Sequence, residues 1–551
     1  MEVPMQRFVK PGTRQILFAA AMLLMSGALA CSQTVSGNIF GTVLDPSGAV
    51  VPGVKIIATS VQTGAVRSAT SSSLGTYQLP GVPAGVYNVQ ASVRGFKSVV
   101  RNGVVVTVGA NISVDFSLAI GQPLQTLQVT GAAPQIETTN ATLRGVVGST
   151  AIRELPLNGR DWLQLATLQP GVVGGVGQTP TTASSAGSSG RAARGNGLAL
   201  SISGGRSTEN AFLIDGLIVN DYANAGPGSS LGVNMGVDAI QEFSVLSSDY
   251  TAQYGFSSGG VVNSILKSGT NQIHGSAYYF LRNSALDARN FFDIPTVPPF
   301  IRNQFGGSVG GPIKKDKTFF FANFEALRQN LSISEASNTL SLAARNGILT
   351  TGNVTVSPNI KPYLAAFPLP NGPVTGDTAR FFFGGKDLGN EYYTIGKINH
   401  NFSEQTMLYG SYSFDNTTNT LPDPYNEKLI DTPSRRQNVI LSLDHIFRPT
   451  LLNTVRAGVS RTHAADAFDI AAVSPNPIIT DPSFGFIPGE PAGIITIPGT
   501  TGFLGGLGAS GADFYNYTAP QVSDDLTWIK GRHTVKIGGI VDRIEFDVIA
   551  G

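Results

Sequence analysis

SISGGRSTENAFLIDGLIVND at 201–221 and QEFSVLSSDYTAQYGFSSGGVVNSILKSGTNQIHGSAYYFLR at 241–282 mark the place where the chain changes its grammar. Up to position 266, apolar runs at 211–214, 243–246 and 261–266 alternate with Gly, Asn, Asp and Ser clusters, which predicts short strands in a small mixed unit. From 272 to 282 the pattern lengthens into one strand. Ile273, Ala277, Tyr279 and Leu281 fall on one face, and His274, Ser276 and Arg282 on the other. A strand of roughly 9–11 residues with one apolar face is what crosses an outer membrane.

Downstream of this junction the alternation recurs, giving about nine amphipathic strands of the kind found in membrane barrels. They include 317–326, 392–402, 407–414, 438–447, 452–461, 526–529 and 534–543. In 438–444, Val439, Leu441 and Leu443 oppose Asn438, Ser442 and Asp444, and Ile440 breaks the rule. The turn Lys530-Gly531-Arg532-His533 is short, whereas 328–390 and 462–519 read as long Pro/Gly/Asn-rich connections. Short turns at one rim and long loops at the other fit a barrel.

Upstream, residues 35–119 read as a β-sandwich with strands at 38–44, 54–60, 75–79, 86–94, 104–108 and 112–118, for which seven strands are the natural count. Asp45-Pro46-Ser47-Gly48 forms its first turn, and Ile112, Val114, Phe116 and Leu118 alternate cleanly along its last strand. Segment 120–131 is extended and bridges two units. Residues 132–268 follow as a compact unit, in which 152–168 predicts two short helices around a Pro/Asn/Gly break and 171–197 a Gly/Ser-rich loop.

Composition narrows the function. The 551 residues carry a net charge of +1, and 13% are charged, which argues against nucleic acid, whose phosphates demand a basic stripe. A mean hydropathy of +0.09 fits a soluble β protein and an outer-membrane barrel equally well, so periodicity decides. Arg7, Lys10 and Arg14, an apolar core at 16–25 and Ala28-Leu29-Ala30 make 1–30 a secretory signal cleaved after Ala30. The single cysteine, Cys31, follows that site; lipidation of Cys31 and ordinary cleavage both remain open, and no disulfide can form within the chain.

SGGRSTENAFLIDG (203–216) with DYTAQYGFSSGGVVNSILKSGTNQIHGSAYYFLRN (249–283) resembles the plug and first barrel strand of TonB-dependent outer-membrane receptors, more narrowly their Oar-like branch. The motif at 41–54, with GTYQLPGVPAGVYNVQASVRGF (75–96), resembles the carboxypeptidase regulatory-like sandwich, which has a carbohydrate-binding-like fold. The resemblance implies a mainly β protein: an N-terminal β-sandwich, a small α+β plug at 132–268 and a partial antiparallel transmembrane β-barrel at 269–551. It places a TonB box in the linker, centred on Leu127, Val129 and Thr130 with Leu124 at its margin, although a plain interdomain linker has nearly the same composition. In the plug it implies structural roles, as turn and ion-pair residues, for Arg206, Asp215 and Gly216.

The implied activity is uptake of a scarce ligand, driven through TonB and its inner-membrane energising complex, in the outer membrane of a Gram-negative bacterium with the sandwich in the periplasm. The ligand is open among glycan, siderophore and peptide. The alternative is an outer-membrane adhesin or carbohydrate-binding structural protein without transport. Plugged transporters have 22 strands, needing about 220 residues at the usual strand length. The space after 272, and an end at 547–551 without a terminal aromatic, lead us to expect a partial chain. Alone, such an open sheet would leave two unpaired edges in lipid.

No catalytic residue, metal site or cofactor is expected. Gly255-Phe256-Ser257-Ser258-Gly259 matches G-x-S-x-G, but it leads into a strand instead of the strand-to-helix turn a nucleophile elbow needs. The Gly-rich run 171–179 lacks the lysine of a phosphate loop. His274, His400, His445, His463 and His533 lie far apart in the sequence and outside the sandwich, so no zinc peptidase site is expected there.

Overall fold

The computed structural model describes residues 36–121, 126–130, 141–174, 198–234, 236–288, 297, 299–466, 468–509, 513–530 and 533–549. The signal segment with Ala28, Ala30 and Cys31, the linker residue Leu124, most of the Gly/Ser-rich run and Gly531-Arg532 lie outside them.

The first unit is a sandwich. Strands β1 (Ser36–Leu44), β2 (Lys55–Ser60), β3 (Val66–Thr70), β4 (Thr76–Pro83), β5 (Gly85–Ser92), β6 (Ser98–Val106), β7 (Asn111–Ser113) and β8 (Phe116–Ser117) form two sheets. One has the order β4-β1-β7 with β8 also on β1, and the other β3-β2-β5-β6. Alternate residues turn inward, so Ile39, Val43, Ile56, Val89, Phe116 and Leu118 are buried between the sheets. The Asp45 turn is an Asx turn, its Oδ1 accepting from the amides of Ser47 and Ala49 at 2.8 and 3.0 Å.

Three sandwich expectations change. VRSAT (66–70) is a strand that its short, polar pattern hid, and β6 starts at Ser98 instead of 104. The last strand splits into β7 and β8, because both pair in parallel with β1 across a break at Val114 and Asp115. Its inward alternation survives the split.

After β9 (Thr126–Thr130) comes the plug. Strands β10 (Leu143–Gly148), β13 (Ala211–Ile214), β14 (Leu217–Ile218), β15 (Ile240–Ser248) and β16 (Val261–Leu266) form a mixed sheet of order β10-β15-β16-β13-β14. The pair β11 (Val172–Gly174) and β12 (Leu200–Ile202) lies beside it. The helical segments are α1 (Ser149–Glu154) and 3-10 turns at Asn158–Arg160 and Trp162–Leu168. The second expected helix is thus a 3-10 segment, capped by Asp161, whose side chain accepts from the Leu163 amide at 3.0 Å. Trp162 packs on Phe243 with ring centroids 5.2 Å apart.

Around the plug runs one large antiparallel sheet. Its strands are β17 (His274–Asn283), β18 (Phe300–Lys314), β19 (Thr318–Leu340), β23 (Thr378–Asn401), β24 (Thr406–Pro422), β26 (Ser434–Arg448), β27 (Leu451–Asp466), β29 (Asp513–Lys530) and β30 (His533–Asp542), paired in that order. Short strands sit in its loops: β20 (Ile348–Leu349), β21 (Gly352–Asn353), β22 (Val374–Thr375), β25 (Lys428–Asp431) and β28 (Phe468–Ala472). β31 (Glu545–Ile549) continues the edge of β30 on β29. Among the described residues β17 and β30 end the sheet unpaired with each other, so the wall is open.

Side chains in this sheet are inside out. Val439, Leu441 and Leu443 are 48, 51 and 38% exposed, while Asn438, Ile440 and Ser442, which alternate with them, are 4, 2 and 1% exposed. Ile440 breaks the polar alternation because it enters the plug's core, with Phe321, Ile395 and Tyr409 from neighbouring strands. At the open edge β17 does not separate its two faces: Ile273, Tyr279 and Leu281 are exposed, and so are His274, Ser276 and Arg282 opposite them, because no further described strand or plug surface covers that edge. Burying polar and exposing apolar side chains is stable only where hydrocarbon lies outside. No described helix is long and apolar enough to cross a membrane.

The connection expected at 328–390 shrinks to 341–377. β19 and β23 stay paired from Thr318↔His400 to Leu340↔Thr378, since backbone hydrogen bonds extend a hairpin past the bilayer whatever its side chains. Similarly, β27 and β29 trim the other long connection. The remaining loops are packed. Phe367, Tyr425, Ile478, Ile479 and Phe503 form a core of their own above the sheet.

Candidate functional site

The sandwich lies at the rim of short turns. Gln62 O accepts from the Asn271 amide at 2.9 Å, Arg67 Nη1 donates to Glu404 O at 2.6 Å, and Gln78 Nε2 donates to Thr534 Oγ1 at 3.4 Å. It is clasped to the plug through one residue: the Val108 amide donates to Glu242 Oε1, and its carbonyl accepts from Arg144 Nη1 at 2.7 Å. Burial pushes the Glu242 carboxyl above its ordinary range, against the pull of the Val108 amide and Arg144. A cleft of about 1320 Å³ remains between sandwich, plug and rim, lined among others by Asn38, Thr42, Arg144, Tyr254 and Lys536.

Between plug and wall the contacts are discrete and polar. Asp215, 1% exposed, closes the tight turn from β13 to β14 with φ +46° and is followed by Gly216 at φ +80°. Lys397 Nζ on β23 donates to Asp215 Oδ2 at 2.7 Å and to Leu266 O at 3.2 Å. The Leu266 amide donates to Asp215 Oδ1 at 3.1 Å, and Tyr409 Oη donates to the Asp215 carbonyl at 3.2 Å. Gly216 is favoured by its left-handed φ, and a Cβ there would lie 2.7 Å from the Arg456 guanidinium, which would have to shift.

A second junction is centred on Glu325, fully buried on β19. It accepts from Arg160 Nε at 3.1 Å, the Gly236 amide at 2.9 Å and Gln304 Nε2 at 2.8 Å. Arg160 also donates to Asp238 at 2.7 Å and lies over the rings of Tyr278 and Phe280, 4.1 and 4.8 Å from their centroids. Further along, Gln521 on β29 clasps the backbone of Ile218, accepting from its amide at 3.1 Å and donating to its carbonyl at 2.8 Å. Ser229 Oγ donates to Glu391 at 2.8 Å. Buried charges persist only when paired and hydrogen-bonded, and two of these ion pairs, Lys397–Asp215 and Arg160–Glu325, join plug to wall, while Arg160–Asp238 lies within the plug.

A family model described as outer membrane beta barrel domain matches residues 265–551, just over half of the sequence. The chain belongs to that family. As the family and the inside-out sheet require, it is a protein of the Gram-negative outer membrane. A second model, carboxypeptidase regulatory-like domain, matches 38–119. Over 320 residues the chain is 28% identical to the TonB-dependent transporter Oar of Myxococcus xanthus, an alignment covering 56% of this chain and 28% of that relative. Among solved structures, the outer membrane transporter YddB from Escherichia coli is 13% identical with a TM-score of 0.47, covering 74% of this chain and 48% of the other. For the ferric enterobactin receptor PfeA of Pseudomonas aeruginosa the values are 15%, 0.42, 74% and 49%.

Within this family member the expected residues fall out unevenly. Asp215 and Gly216 sit at a plug–wall junction. Arg206 does not: it is exposed, and only its backbone serves the turn, its amide donating to Glu209 Oε2 at 3.0 Å and its carbonyl accepting from the Glu209 amide at 3.0 Å. A small-residue turn at the plug surface leaves a long cation in water, and among the described residues the ion pair is made by Asp215, with Lys397. Leu127, Val129 and Thr130 lie in β9, which is paired in parallel with β6, from Ser98↔Thr126 to Asn102↔Thr130. Residues 126–130 of the linker are therefore a strand with one edge already used. Ser257 Oγ accepts from the Gly259 amide at 3.3 Å, and all five histidines stand on strands of the outer sheet.

Sequence reading missed Arg160 and Glu325. Glu325 had a signal, as a lone carboxylate within the aromatic strand FFFANFEAL (319–327). Arg160 had none, because its partners stand 78 and 165 positions away.

Proposed function

We propose that this chain forms the sandwich, plug and leading wall of a TonB-dependent transporter that takes up a scarce ligand. The supporting observation is a folded plug held inside an inside-out sheet by separate buried ion pairs. Such contacts are stable at rest, yet each can be replaced by water if the plug shifts, so a modest displacement opens a polar path. The packed outer loops stand where a ligand would first bind, and the cleft beside the sandwich lies where it would leave. Work must come from outside, because an outer membrane sustains no ion gradient; the segment 126–130 supplies the attachment for TonB by strand pairing. No step is catalytic.

The test is deletion of residues 124–131 from the full-length protein in its own outer membrane, followed by capture with the purified periplasmic domain of TonB. Capture is expected to fall at least tenfold while the protein stays folded and membrane-inserted. No capture by the intact protein would remove the transporter reading and leave the adhesin, whereas capture that the deletion leaves unchanged would move the TonB-pairing segment elsewhere in the chain. Ser257→Ala is expected to change neither quantity.

A further inference from the structure

The five residues of β9 are not loose. They form the outermost strand of the five-stranded sheet β3-β2-β5-β6-β9, and no other described strand pairs with them. Their approach is fixed as well. Just before β9, the Lys97 amide donates to Ala119 O at 2.8 Å and the Gly121 amide to Gly95 O at 3.1 Å, with a bridge between Phe96 and Ile120. The chain is thus pinned beside the start of β6, and only 122–125 separate the pin from β9. A tether that short holds the strand at high effective concentration next to its partner.

In an extended strand, successive amides and carbonyls point to opposite sides. Pairing with β6 satisfies one set and leaves the other directed away from the sandwich. An edge of this kind is a template for a further strand, and one already held extended spares the incoming partner the cost of ordering it.

We propose that the sandwich is a presentation platform: it holds 126–130 as its edge strand, and the periplasmic domain of TonB adds to the outer side of β9 without displacing β6. This rests on reading 126–130 as the TonB-pairing segment, and it gives the accessory domain a task that needs no sugar. The sandwich is then a handle, because a pull on β9 acts on the whole sheet. The sandwich is in turn attached to the plug at Val108 and to the rim of the outer sheet at Gln62, Arg67 and Gln78.

The register provides the test. Paired residues of neighbouring strands stand close enough for a disulfide, so Val100→Cys with Gln128→Cys in the full-length protein should cross-link β9 to β6 on oxidation. TonB-domain affinity of the oxidised form is expected within threefold of the reduced form, or tighter. Residue-resolved hydrogen exchange should show alternate amides of 126–130 protected before TonB is added, and the remaining ones gaining protection afterwards. Failure to cross-link, a tenfold loss of affinity on oxidation, or release of the first set of amides by TonB would each overturn the platform. If deleting 126–130 leaves TonB binding intact, the pairing segment itself has been misplaced, which is a separate failure.

Discussion

Asp215 and Lys397 show why single side chains matter in this interface. Both are buried, 1 and 5% exposed, and each satisfies the other. Asp215→Ala strands an ammonium group in the interior and is expected to cost about 3–5 kcal/mol, read by denaturant unfolding of the inserted protein. Asp215→Leu with Lys397→Met should recover most of that loss, because it removes both charges together. In the outer loops, burial, reinforced by Asp423, pushes the Glu427 carboxyl up to about 8, against Asn476 and Lys428. Its folded value exceeds the unfolded one, so the loop cap is tightest below the ordinary carboxylate range. It loosens as pH rises through about 8, by up to a few kcal/mol at 1.36 kcal/mol per unit. Proteolysis of 473–512 should therefore accelerate between pH 6 and pH 9, and Glu427→Gln should flatten the profile. At this scale the sequence is only partly readable. An isolated carboxylate such as Glu325 announces itself, but Arg160 acquires its role only when distant strands close around it.

Strands report themselves best where lipid touches them. In β26 the alternation is imposed by hydrocarbon outside and plug inside, so it can be read from seven residues. Leu441→Arg is expected to cost about 2–4 kcal/mol if its side chain faces the bilayer midplane, measured by unfolding in lipid vesicles. Where β19 and β23 rise above the bilayer, both faces meet water or loop, the pattern fades, and the ladder from Gln329↔Gly389 to Leu340↔Thr378 was mistaken for a connection. β3 was missed for a related reason: five residues with a central Ser and no aromatic carry little signal.

Taken whole, the molecule layers three units in sequence order: a sandwich against the short turns, a plug above it, and a sheet wrapped around the plug. The order of units was legible because each has its own periodicity and is bounded by Gly-rich or extended segments. Their contacts were not, since Val108 between Glu242 and Arg144, or β9 along β6, depend on how units dock and leave no local pattern. The outer sheet must face oil on one side and the plug on the other. Spin labels placed singly at 438–444 in the protein inserted in lipid vesicles test this most directly. Labels at 439, 441 and 443 should be relaxed by oxygen dissolved in the bilayer, with those at 438, 440 and 442 shielded. Equal access of a water-soluble relaxant to all of them, or a helical period, would contradict it.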